Sequence, residues 1–144
     1  KTMSSSELRY LIAAHALAEK KPVVKQTDIA NQLRVTKVSA YNAVERLREK
    51  GLIEKNERKI VLTERGQELL DEYMTIIRFI SMHLSLHCGT PREQAYDDAL
   101  NATCAFSDQT RNGVANFIKS GMGGVYRASA ANEKEQINDR QRTV

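Results

Sequence analysis

The sequence predicts a mainly α-helical chain that carries one small β hairpin and falls into two helical units in tandem. Three observations carry that expectation. Apolar residues recur at helical spacing in successive windows bounded by capping residues. Two short β-prone runs, Leu52-Ile53 and Lys59-Ile60-Val61-Leu62, flank the polar turn Asn56-Glu57-Arg58. The charge is uneven: residues 1–66 hold 14 basic against 8 acidic side chains, and residues 67–144 hold 8 against 10.

Ser4, Ser5 and Ser6 ahead of Glu7 offer an N-cap, and Leu8, Leu11, Ile12, His15 and Ala16 follow at helical spacing. They predict a first helix that ends near Glu19, where Lys20-Lys21-Pro22 breaks it. His15, alone in this apolar stripe, is expected to be a hydrogen-bonded core residue. Thr27 or Asp28 is the expected cap of a short second helix through Ile29, Ala30 and Leu33. The pattern pauses over Arg34 to Lys37 and resumes as a third helix over 38–50, with Gly51 as its C′ residue. The hairpin follows. Thr63 caps a long fourth helix that reaches about His87 and is stopped by Gly89. Thr90-Pro91-Arg92-Glu93 reads as a capping box opening a fifth helix over about 91–106. Ser107 or Asp108 then caps a sixth helix carrying Val114, Phe117 and Ile118. The polar run 120–144 has little to bury and is expected to be a flexible tail.

The second half of the fourth helix is apolar on more than one stripe. A second protomer is the expected cover for the excess, with Tyr73, Ile76, Ile77, Ile80 and Leu84 as the dimer interface. Residues 67–119 are therefore expected to form a helical dimerisation domain.

At 144 residues and 41% hydrophobic content, the chain can bury a shared core. No apolar run approaches the roughly 20 residues that cross a bilayer, and no secretory leader pattern is present. A soluble, cytoplasmic protein with no membrane partner is expected. The two cysteines, Cys88 and Cys104, cannot build a disulfide framework. No Gly-rich phosphate loop, G-x-S-x-G or H-E-x-x-H occurs, and the adjacent Asp97 and Asp98 diverge by about 100° on a helix, so no enzyme is expected.

On a helical wheel the third helix divides. Ala40, Val44 and Leu47 fall on one side, and Ser39, Asn42 and Arg46 on the other. The second set suits a major groove, because Asn makes two hydrogen bonds to an adenine edge and Arg does the same with guanine. Thr36 and Lys37 stand at the helix start, where backbone N–H groups favour a phosphate. Lys55, Arg58 and Lys59 bracket the hairpin tip. Two helices joined by a tight turn and followed by a basic hairpin make a winged helix-turn-helix, so residues 1–66 are expected to bind double-stranded DNA through these eight residues. Tyr41, between the two faces, is expected to pack at the edge. The same fold can instead serve as a protein-interaction adaptor, which would bind DNA weakly and without selectivity.

The stretch TDIANQLRVTKVSAYNAVERLREKGLIEKNERKIVLTERG, followed by a long helix and GTPREQAYDD, resembles the metal-dependent repressors of the diphtheria-toxin-repressor and manganese-transport-regulator type. The resemblance runs over about residues 7–118, and the length matches the family's short form without a third, SH3-like domain. Its winged-helix part is shared with other bacterial regulators, such as the multiple-antibiotic-resistance group. It implies a homodimeric repressor on a palindromic operator, switched by Mn²⁺ or Fe²⁺ held between the first helix and the two helices after the wing. Laid on that pattern, the ligand positions carry Arg9, Ile12, Ile77, Tyr96, Leu100, Thr103 and Cys104. Hard divalent ions need converging oxygen or imidazole donors, so no metal is expected at the family's site and no cofactor is assigned. Two alternatives combine Cys104 with residues outside that set: His83, His87, Cys88 and Cys104 as a substitute site for Zn²⁺ or another transition metal, and Cys88 with Cys104 as a redox pair.

Overall fold

The structure, a computed structural model, describes residues 3–121, so the expected flexible tail lies outside the described residues except for positions 120 and 121. Within them the chain runs α1 (Ser5–Lys20), α2 (Gln26–Leu33), α3 (Lys37–Glu49), β1 (Ile53–Asn56), β2 (Lys59–Leu62), α4 (Glu64–Cys88), α5 (Arg92–Ala105) and α6 (Asp108–Lys119). Ser4, Thr36, Thr63 and Ser107 cap their helices, each side chain accepting a backbone N–H three residues on. Two expected caps differ. Lys25 is the N-cap of α2, and Asp28 sits in the first turn, where its Oδ2 accepts from Lys25 N at 2.8 Å beside the positive end of the helix. Pro91 is the N-cap of α5 with no side-chain cap, because Thr90 belongs to the preceding turn: its N–H donates to Leu84 O at 3.1 Å and helps to close α4.

The hairpin is antiparallel, with Ile53 opposite Leu62, Lys55 opposite Ile60 and Asn56 opposite Lys59. Glu57 takes φ 58°, the left-handed conformation that a two-residue turn between twisted strands requires. Side chains alternate across the strands, so Ile53, Lys55, Ile60 and Leu62 face the helices while Glu54, Asn56, Lys59 and Val61 face outward. Ile60 N–H donates to Val24 O at 2.8 Å and ties the wing to the segment before α2.

One core runs from Leu8, Leu11, Leu47 and Ile60 through Leu70, Tyr73 and Ile77 to Ala99 and Leu100, so the two expected units are packed on each other. This corrects the expected dimer interface at Tyr73, Ile76 and Ile77. Tyr73, Ile76 and Ile77 are fully buried within one protomer, and Ile80 and Leu84 are half-buried. The physical reason is that α5 and α6 fold back along α4 and cover its second stripe. Apolar side chains left open on α4 are Met82 (48% exposed) and Leu86 (69%). His15 is corrected too: it is half-exposed at the rim of α1, 3.8 Å from Glu19.

The joint between α3, the wing and α4 is backbone against backbone. Thr63 N–H donates to Leu52 O at 3.0 Å, and the Thr63 hydroxyl donates to Gly51 O at 2.6 Å. Gly66 sits so close to this crossing that a Cβ there would overlap the Leu52 carbonyl oxygen.

At this same end of α3, the buried Glu7 carboxylate pairs with Lys50, the C-cap residue, and accepts from the Ser4 hydroxyl at 3.1 Å. Burial pushes the Glu7 carboxyl up, but Lys50 and Ser4 outweigh it and hold the group below its ordinary value of 4.5. A carboxyl lowered on folding contributes its stability in full above that value and loses it as the pH falls through the folded pKa. Acidification below pH 4.5 should therefore loosen the tie between α1 and α3. Glu7→Gln should be about 1–2 kcal/mol weaker than wild type at pH 7 and should lose less on going to pH 3. Urea midpoints at the two pH values check this, and equal acid sensitivity of the two proteins would remove Glu7 from the account.

Candidate nucleic-acid interface

The third helix divides as its wheel predicts. Ala40, Ala43, Val44 and Leu47 are buried, while Thr36, Lys37, Ser39, Asn42 and Arg46 are exposed. Thr36 and Ser39 also bond to each other, the Thr36 hydroxyl donating to Ser39 Oγ at 2.9 Å, which fixes the start of the helix. Glu45 is occupied by Arg48 at 3.3 Å, so its charge does not oppose an anion on this face unscreened. Arg46 stands near the far end of α3, in a groove it lines with Glu7, Glu49 and Lys50. It is set apart from the Lys37–Asn42 end.

The wing residues separate. Lys55 lies on the inner face of the hairpin, opposite Ile60, and Arg58 in the turn shares a notch with it and with Lys25, Gln26 and Thr27 of the α2 start. Lys59 faces outward and lines a different groove, with His15 and Lys21 behind the wing. The expected tip cluster is therefore two sites. Three residues of this surface are not among the candidates that the sequence suggests: Val38 (68% exposed), Tyr41 (49% exposed) and Lys25. Val38 is one helical turn before Asn42, so its place on the wheel is available from the sequence; an exposed valine simply reads as core. Tyr41 is half-exposed, with Lys55 Nζ 5.5 Å from its ring centroid.

Among the described residues no group of three or more His, Cys, Asp or Glu side chains converges on a point. The family's ligand positions do not fit a metal. Ile77, Leu100 and Thr103 are fully buried, and the Thr103 hydroxyl is spent on Ala99 O at 2.6 Å. Arg9 brings a cation, paired with Asp97 at 3.0 Å across α1 and α5. Ile12 offers no donor. Burial pushes the Tyr96 phenol and the Cys104 thiol up, which disfavours the ionised forms a metal prefers. The substitute set does not assemble either. His83 and His87 stack with ring centroids 5.2 Å apart near the end of α4. Cys104 lies by Met3, Ser4 and Glu7, and Met3 N–H donates to the Tyr73 hydroxyl. Tyr73 and Cys88 are 15 residues apart on α4, roughly 22 Å of helix, so Cys104 reaches neither the histidines nor Cys88. Both cysteines are free, and the redox pair is excluded by the same distance.

Solved structures with this fold include a hypothetical protein, SSo2273, from Sulfolobus solfataricus, with 22% identity over 81% of this chain and 89% of that one, at a TM-score of 0.63. The manganese regulator SloR matches with 21% identity over 78% of this chain and 53% of its own, at 0.65. The metal-dependent transcriptional regulator MtsR matches with 18% identity over 81% and 55%, at 0.67. The chain spans about half the length of these two regulators. No curated protein sequence matches it. Among the described residues no helix is long and apolar enough to cross a membrane. A family model described as winged helix-turn-helix matches residues 9–81, half of the sequence, and spans most of α1, α2, α3, the wing and most of α4; the chain belongs to the winged helix-turn-helix family.

Proposed function

We propose that the protein is a sequence-specific, DNA-binding transcriptional repressor of the cytoplasm that acts as a homodimer on a palindromic operator and does not use Mn²⁺ or Fe²⁺. The observation that carries this reading is the exposed face of α3, where Ser39 and Asn42 stand clear of the core with the basic notch of the wing beside them. An α-helix with such a face fits a major groove, and flanking cations fit the phosphates. The homodimer is supported by Met82 and Leu86, which border a groove with Arg92 and Tyr96 and are left open among the described residues. Two-fold symmetry would make the operator a palindrome. Independence from metal is supported by the donor set: where the resemblance calls for ligands, Ile12, Ile77 and Leu100 pack into the joint between α1, α4 and α5.

The test is selection of bound DNA from a random pool, run in chelator and again in added Mn²⁺. The same preferred site is expected in both arms. Asn42→Ala should lose about 1–3 kcal/mol on that site and relax the choice of base at one position. Chelator-sensitive selection would overturn the metal-independent reading, and an unselected pool would favour the protein-interaction adaptor.

A further inference from the structure

The wing carries its key cation on an unusual side. In a hairpin of this register Lys55 shares a face with Ile53, Ile60 and Leu62, all turned toward the helices. Its aliphatic stem runs along that face, and its ammonium emerges between a neutral acceptor and an aromatic face: Nζ donates to Gln26 Oε1 at 3.4 Å and stands 5.5 Å from the Tyr41 ring centroid. Lys55 thereby touches α2, α3 and the wing at once. Five other basic side chains are held by carboxylates: Lys21 pairs with Asp28, Lys50 with Glu7, Arg48 with Glu45, Arg9 with Asp97 and Arg111 with Glu72 and Asp108. Among the described residues Lys25, Lys55 and Arg58 form no ion pair, and the notch they line with Gln26 and Thr27 contains no carboxylate. The nearest carboxylate, Asp28, is bonded to Lys21 and to the Lys25 backbone N–H, so it offsets the three cations around the notch only in part, and they repel one another in the free protein. An anion held there relieves that repulsion.

We propose that Lys25, Lys55 and Arg58 bind one backbone phosphate at the rim of the groove entered by α3, and that Tyr41 is a positioning residue that holds the Lys55 ammonium in place for it. This rests on the DNA-binding reading and adds to it a residue-level account of how wing and reading helix are kept in register. Tyr41 lies one residue before Asn42 on α3, so the same helix that presents the base reader fixes the phosphate ligand. A cation over an aromatic face is held by the ring quadrupole, and Phe retains that hold whereas Leu does not.

The experiment measures binding of the operator recovered from the selection, and of a scrambled duplex, as a function of salt. Lys55→Met should lower the slope of log K against log salt by about one and weaken both duplexes several-fold, with thermal stability unchanged. Tyr41→Leu should reproduce that loss on both duplexes, Tyr41→Phe should not, and the Tyr41→Leu/Lys55→Met double variant should be no weaker than Lys55→Met alone. Additive losses, or a wild-type salt slope in Lys55→Met, would overturn the proposal. If Tyr41→Leu instead changed base preference, Tyr41 would be a reader and the positioning role would fall. A wild type that bound no duplex selectively would remove the DNA-binding reading itself, whereas loss of selectivity in Asn42→Ala with wild-type behaviour in the Lys55 and Tyr41 variants would remove this inference alone.

Discussion

Gly66→Ala is expected to destabilise the protein by at least about 2 kcal/mol, although alanine is the better helix former by about 1 kcal/mol. The methyl group would overlap the carbonyl oxygen of Leu52 and arrive 2.9 Å from its carbon. Both are backbone atoms. Leu52 cannot retreat easily, because its own N–H is bonded to Leu47 O and its carbonyl accepts from Thr63 N–H, at 3.0 Å each. The strain would have to move the start of α4 away from the end of α3, opening the cap made by Thr63 and shifting the wing relative to the C-terminal helices. Gly113 supplies the control. It lies within α6, and a methyl group there would have no neighbour within 4 Å, so Gly113→Ala should gain stability, by roughly 0.5–1 kcal/mol. Urea denaturation of both variants checks the pair. A Gly66→Ala protein as stable as wild type would mean that the joint between the two halves is softer than its contacts indicate.

Much of the fold can be read from the sequence because its elements are locally encoded. Ser4, Thr63 and Ser107 cap as expected, and Gly51 and Gly89 end their helices with positive φ. The face of α3 is legible for the same reason, since one helix with a single buried stripe obeys its own period. What escapes depends on contacts between distant segments. Gly66 looks like any helix glycine until Leu52 is brought against it. Lys55 reads as a wing-tip cation until the pairing with Ile60 turns it inward. The apolar excess on α4 reads as a surface for a partner because the sequence does not reveal that α5 and α6 return along the same helix. Arg111 shows the same limit. It is almost fully buried between Glu72, Asp108 and the Tyr73 ring, an arrangement that needs α4 and α6 to be adjacent before it has any meaning.

Ile77→Asp and Leu86→Asp, both on α4, should separate what holds the protomer together from what holds two protomers together. Ile77 is fully buried in the core shared with α1 and α5 and has no polar partner there. A carboxylate at that position must either be desolvated or be protonated to remain, and an unpaired buried charge costs several kcal/mol, so the Ile77→Asp chain is expected to lose its cooperative melt and collect as aggregate. Leu86, at 69% exposure, is already in water in the isolated protomer. Leu86→Asp should leave the thermal midpoint of the fold within the few tenths of a kcal/mol usual for surface changes, yet place two like charges where the proposed dimer brings the ends of α4 together. Sedimentation should then report a folded monomer, and operator affinity should drop because one protomer reads only half of a palindrome. If Leu86→Asp sedimented as a dimer indistinguishable from wild type, the contact between protomers would lie away from Met82 and Leu86. If Ile77→Asp folded normally, α4 would not be the pillar on which the DNA-binding half is fixed, and the rigid coupling of wing, reading helix and C-terminal helices would have to come from the Gly66 joint alone.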